Sequence, residues 1–338
     1  KVVFGQYCAG SHSSKIPPAP ENVDESKWDQ YWAWTKTDDF KRKMTAMVMA
    51  DDFLTDNYLS TDPRIPVTLL LTNACSPLAT NALKDNIWDN FASQTYKDLP
   101  SAGKMTFYNP IDGSTFDYDL PAGGRGYTRV PSLISLWSTA PFLLNNSVGK
   151  FRWEASVDAG MDSFNDAIQQ MLWPEKRKKD DILGDKVPGF IYRTTTTSYI
   201  RIATGYLPDG LEKILDWGPW LHRWFPWLFG EGMLQIGPIP KGTPVSLLTN
   251  LNLEADKLKL VAVLLEMKQK LKRVEGASDE EAAKVFKEKD FIQKLIDVSK
   301  CPDYVVNKGH YFGTDRLKEE TPLNDDDKWA LIEFLKTF

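Results

Sequence analysis

Apolar residues recur at three- and four-residue intervals in several stretches of the chain, and each stretch predicts a helix with one buried face. Phe40, Met44, Met47 and Val48 set this rhythm over 37–54. Val157, Met161, Phe164, Ile168, Met171 and Leu172 keep it over 153–173, until Pro174 stops the helix. Further helices are predicted over 254–274, from a cap at Ser278 to about Lys287, and over 291–298. At the far end Asn324 and Asp325 suit an N-cap, and Asp326 and Asp327 suit the positive pole of a helix. Behind them Trp329, Leu331, Ile332, Phe334 and Leu335 form an apolar stripe. A two-residue alternation over 104–120, split by Asp112-Gly113, predicts a small hairpin, and the β-branched run at 194–203 predicts a short strand.

Between these elements the pattern fades. Pro17, Pro18 and Pro20 with the acidic residues that follow read as a loop over 16–34, and 52–66 reads as an ordered, irregular connection. Prolines extend 236–250, and the charge run 175–181 reads as solvated surface. The stretch 211–229 is different in kind, with Trp217, Trp220, Trp224 and Trp227 at helical spacing, broken by Pro219 and Pro226. It predicts either buried core or a protruding hairpin resting on a membrane interface or a partner subunit, because indole rings favour that boundary. Its His222 reads as structural.

Composition changes the picture in two places. With 338 residues, 42% of them hydrophobic, the chain can bury a sizeable core, while a net charge of −5 gives no basic footprint for nucleic acid. Three cysteines, at 8, 75 and 301, include no Cys-x-x-Cys pair, which argues against structural zinc. Cys75 and Cys301 are either a disulfide, in an oxidising compartment, or two separate buried thiols. Pro121 to Gly126 lacks the Gly-Lys-Ser/Thr ending of a phosphate loop.

The candidate chemistry lies at the two ends. Cys-x-x-Cys-His is the attachment run for covalent c-type haem, in which the histidine becomes an axial iron ligand. Here Cys8 and His12 hold the first and last places, and Ser11 stands where the second thiol would be, so only one thioether can form.

The closing run from Asp325 to Phe338 resembles the last helix of class I c-type cytochromes. In those domains the second axial ligand comes from the loop before that helix, where His310 lies. Tyr127 to Val148 is similar to a segment of the dihaem cytochrome c peroxidase superfamily and of the haem-dependent rubber oxygenases. There it reads Arg-x-Pro-Ser-Leu, then Thr-Ala-Pro-Tyr-x-His-Asn-Gly-Ser-Val. This chain departs by placing Leu144 at that histidine and Asn146 at that glycine.

The resemblance implies a mainly α, class I cytochrome c-like haem fold expanded by large insertions with small β hairpins. One domain over 1–338 is expected, with the motif 1–15 packed on 301–338 and insertions over 16–300. A signal and an upstream domain are expected ahead of Lys1. The implied cofactor is haem c held by one thioether through Cys8, with His12 and His310 as metal ligands. Met44, Met47 and Met49 rank below His310 for the sixth position. Gly309 and Gly313 would let the backbone around His310 turn sharply toward the cofactor. Arg125 and Arg129 either bind the haem propionates or lie on the surface, and Trp137 packs on the cofactor. Electron transfer outside the cytoplasm, in the periplasm, with a redox partner protein or membrane redox complex is the first functional expectation. A haem oxygenase or peroxidase is the second, and a haem-free structural subunit the third.

Overall fold

The structure, a computed structural model, describes residues 1–338 except 25–26, 80–92, 204–228, 231–232, 253–255 and 319. Among the described residues helices predominate and the sheets are small, so the architecture is mainly α. The principal helices are α1 (Val2–Tyr7), α2 (Trp28–Thr35), α3 (Asp38–Met49), α4 (Val157–Leu172), α5 (Lys257–Arg273), α6 (Lys289–Asp297) and α7 (Asp325–Leu335).

The starts of α3, α4, α5 and α7 are set by side chains that take up otherwise unpaired helical N–H groups. Thr37 accepts from the Phe40 amide, Ser156 from Ala159, Asp256 from Leu258 and Lys259, and Asn324 from Asp327. Strands β1 (Lys104–Tyr108) and β2 (Thr115–Asp119) pair antiparallel, with Met105 opposite Tyr118. The turn is fixed by the Asp112 carboxylate, which accepts from the Ser114 amide and hydroxyl. Strands β3 (Ser198–Ala203), β4 (Phe229–Gly230) and β5 (Met233–Ile239) form an antiparallel sheet in the order β3-β5-β4.

Three apolar cores result. The first gathers α5, α6 and Tyr304, and the third joins the β1–β2 hairpin to Val67, Leu78 and Cys301. The second brings the two chain ends together: Phe4 of α1 is fully buried, 5.4 Å ring to ring from Phe334 and 5.3 Å from Phe338. Phe53 closes the same cluster at 6.3 Å.

The sequence pattern misses at four places. Trp28–Thr35 is helical where a loop was expected, because Tyr31 and Trp34, three apart, bury one face in the second core. Val245–Thr249 is a short helix inside the stretch expected to be extended, with Leu247 and Leu248 buried. The charge run 175–181 is not all surface, since Arg177 and Asp180 are buried. Asp180 is held by Arg193 at 2.6 Å and by the Leu183 and Ile191 amides, so local composition concealed two polar groups satisfied by distant partners. The 278–287 helix changes at Lys284 to a 3₁₀ turn. The tryptophan-rich stretch, with Trp217, Trp220, Trp224, Trp227 and His222, lies outside the described residues.

Candidate functional site

The first helix ends at Cys8, and the chain keeps turning so that one carbonyl anchors the next residues. The Cys8 carbonyl accepts from the Ser11 amide at 3.1 Å, the Ser11 hydroxyl at 3.2 Å and the His12 amide at 2.9 Å. Cys8, Ser11 and His12 thereby face the same side. Just beyond them, buried Asn57 fixes the chain: its carbonyl oxygen accepts from the Ser14 amide at 3.0 Å, and its amide donates to the Ser13 hydroxyl at 3.0 Å. Nothing in the irregular stretch around Asn57 marks it out in sequence.

These residues open onto a cavity of about 330 Å³. Its walls are Val130, Leu133, Leu136 and Phe142 from the central segment, Ile168, Met171 and Leu172 from α4, and Leu331 and Leu335 from α7. The opposite side is closed by His310, Phe312 and Gly313. His12 and His310 face each other across it with ring centroids 6.3 Å apart and planes at 52°. Two metal–imidazole bonds of about 2 Å each, with half a ring on either side, span about 6 Å. The pair can therefore hold one metal atom between them.

Both imidazoles are prepared as neutral donors. Burial, helped by the nearby His310 ring, pushes His12 down from 6.5 to about 3. The Pro131 and Leu59 carbonyls oppose that shift only in part. Burial and then the charge of Arg177 push His310 down to about 4. Neither Nδ1 has a hydrogen-bond partner among the described residues. Cys8 carries a free thiol, which burial pushes up to about 12, so it is protonated.

The loop that presents His310 is fastened at many points. The Cys75–Cys301 disulfide holds its start. Asp303 accepts from the Ala74 amide at 2.8 Å and pairs with Lys308, also at 2.8 Å, with both side chains buried. Asn145 and Ser147 each donate to the Val306 carbonyl at 2.6 Å, tying the central segment to the loop. Gly309 (φ +103°) passes so close to residue 72 that a Cβ would fall 2.3 Å from the Thr72 Cα. Gly313 also has positive φ, +72°. Downstream, the buried Glu320 carboxylate accepts from the Gly313 amide and pairs with Lys36.

The sequence-derived residues divide. Cys8, His12 and His310 meet at the cavity, and Leu144 and Asn146 line it. Arg125, Arg129 and Trp137 lie outside its lining. Arg125 donates to the Leu78 carbonyl at 3.1 Å. Thr128 and Val130 face the cavity, so extended-chain alternation turns Arg129 the other way, onto the Thr61 carbonyl and Asp62. Trp137 packs on Gly160 of α4 while its neighbour Leu136 takes the cavity side. Met44 is buried in the second core and Met49 is half exposed, so neither lines the cavity, and nor does Met47. Comparison with protein-family models, curated proteins and solved structures found no match to the chain.

Proposed function

We propose that the cavity holds a single c-type haem, bound through one thioether at Cys8 and ligated by His12 and His310, and that the protein carries electrons. The observation that carries this reading is the opposition of two neutral imidazoles, His12 buried and His310 partly buried, across an apolar cavity, with Cys8 on the His12 wall. Haem bound there supplies a one-electron couple at iron. His12 and His310 need lose no proton to become ligands, because burial already keeps them neutral. If His12 and His310 both held the iron, oxygen and peroxide would have no open coordination site, which favours a carrier over an oxygenase or peroxidase. The segment resembling those enzymes serves here as wall, since Leu144 stands at the place of their histidine.

The class I cytochrome c-like fold is part of the same proposal, supported by the packing of α1 on α7 through Phe4, Phe334 and Phe338. An extracytoplasmic location follows from covalent haem and is supported by the Cys75–Cys301 disulfide. A redox protein or complex is the proposed partner. Among the described residues no helix is long and apolar enough to cross a membrane.

The test is a pyridine haemochrome spectrum of the denatured protein, joined to carbon monoxide binding by the native ferrous form. A c-type band displaced to the red of a two-thioether cytochrome, with no carbon monoxide adduct, is expected. Replacing His310→Ala should leave haem attached and admit carbon monoxide. Absence of any c-type band refutes the haem, and ready carbon monoxide binding by the unaltered protein refutes the carrier.

A further inference from the structure

Arg177 stands in the charged stretch after α4, yet its side chain is buried and meets five backbone carbonyls. Its Nε donates to Gln170 at 2.8 Å. One terminal nitrogen donates to Asn307 at 3.1 Å and Gly309 at 2.8 Å, and the other reaches Met171 and His310, each at 3.4 Å. The Tyr311 ring lies 5.1 Å from the guanidinium carbon. No carboxylate pairs with Arg177 among the described residues.

These acceptors form two groups. Gln170 and Met171 belong to the last turn of α4, the negative pole of a helix whose Met171 and Leu172 line the cavity. Asn307, Gly309 and His310 belong to the opposing loop. A planar fork with five donors can satisfy both groups at once, whereas a lysine ammonium cannot span them. The clamp acts where it is needed, because His310 has φ +52°, a left-handed conformation that a non-glycine residue keeps only when its surroundings impose it.

We propose that Arg177 is the positioning residue for His310: it locks the distal loop to α4 so that the imidazole stays opposite His12, and its unpaired charge favours reduced iron between the two rings. The inference rests on the haem reading above. Ferrous iron carries one positive charge fewer than ferric, so a buried cation beside an axial ligand raises the reduction potential.

Two variants separate position from charge. Arg177→Lys keeps the charge and loses the fork, so its ferrous form should bind carbon monoxide. Arg177→Gln loses both, so it should bind carbon monoxide and have a lower potential than Arg177→Lys, which differs from it in the charge. A variant that folds, holds haem and still excludes carbon monoxide overturns the clamp, and equal potentials in Arg177→Lys and Arg177→Gln overturn the role of the charge. The pyridine haemochrome of the unaltered protein is recorded first. If the c-type band is missing, the haem reading fails and this one with it; if the band is present and the variants are unchanged, the clamp alone fails. Should neither variant fold, ¹⁵N-labelled unaltered protein decides. The Arg177 guanidinium protons should exchange slowly and shift on oxidation, and fast exchange without a shift overturns the proposal.

Discussion

Cutting the Cys75–Cys301 cross-link, by Cys75→Ala with Cys301→Ala, tests how the loop bearing His310 is held. The two residues are 226 apart in sequence, so the bond removes a large loop from the freedom of the unfolded chain. The chain-entropy relation gives a ceiling of about 5 kcal/mol for a loop of that size, and measured losses run at about 2–4 kcal/mol. The native state should change little, because two other bonds join the same segments. Ala74 still donates to Asp303 at 2.8 Å, and the Asn73 amide to the Val305 carbonyl at 2.7 Å. The loss should therefore appear in stability and not in the native spectrum. With a guanidinium slope of about 6 kcal/mol/M, a loss of about 3 kcal/mol lowers the unfolding midpoint by about 0.5 M. Far-UV circular dichroism and tryptophan fluorescence would follow the transition. A thiol titration of the denatured, unreduced protein gives an independent reading from its three cysteines. No free thiol means disulfide plus thioether, one means disulfide with Cys8 free, and two or three refute the cross-link. An unchanged midpoint in the double variant refutes the entropy argument.

Phe4→Ala should lower unfolding free energy by about 3–5 kcal/mol, since it empties a fully buried site shared by both chain ends; a chemical denaturation curve within 1 kcal/mol of the parent, roughly the size of a surface substitution, would contradict this. In protein prepared without haem, both histidines have folded values below the unfolded 6.5, so their contribution is complete above pH 6.5. It declines as pH falls toward about 4 and about 3, by about 1.4 kcal/mol per pH unit for each imidazole. Thermal melts that are flat between pH 7 and pH 4 would count against burial of both rings. Gly309→Ala forces a Cβ to 2.3 Å from the Thr72 Cα at φ +103°, and should cost about 1–3 kcal/mol or more while loosening the His310 loop. Hydrogen exchange at the amides of 303–313 should rise, and unchanged protection would contradict the close approach.

By itself the sequence determined the elements whose signals are local. Thr37, Ser156 and Asn324 cap the helices their neighbours predict, and Asp112-Gly113 turns the hairpin, because capping and turn formation involve residues only two or three apart. It also marked Cys8 and His12, since Cys-x-x-x-His spacing is a short-range feature, and pointed to His310 only through the resemblance of the run from Asp325 to a cytochrome helix. What only the tertiary structure decided are the contacts that span the chain. The meeting of Phe4 with Phe334, the pairing of Cys75 with Cys301 and the hold of Asn57 on Ser13 and Ser14 leave no periodic trace. Arg177 is the clearest case: in sequence it is one charge among several, and only folding places it between α4 and the His310 loop. Arg129 and Trp137 make the converse point, for each is adjacent to a residue that lines the cavity while its own side chain leaves on the other face. A short pattern fixes what a residue can do, but burial and direction are set largely by partners that lie outside that pattern.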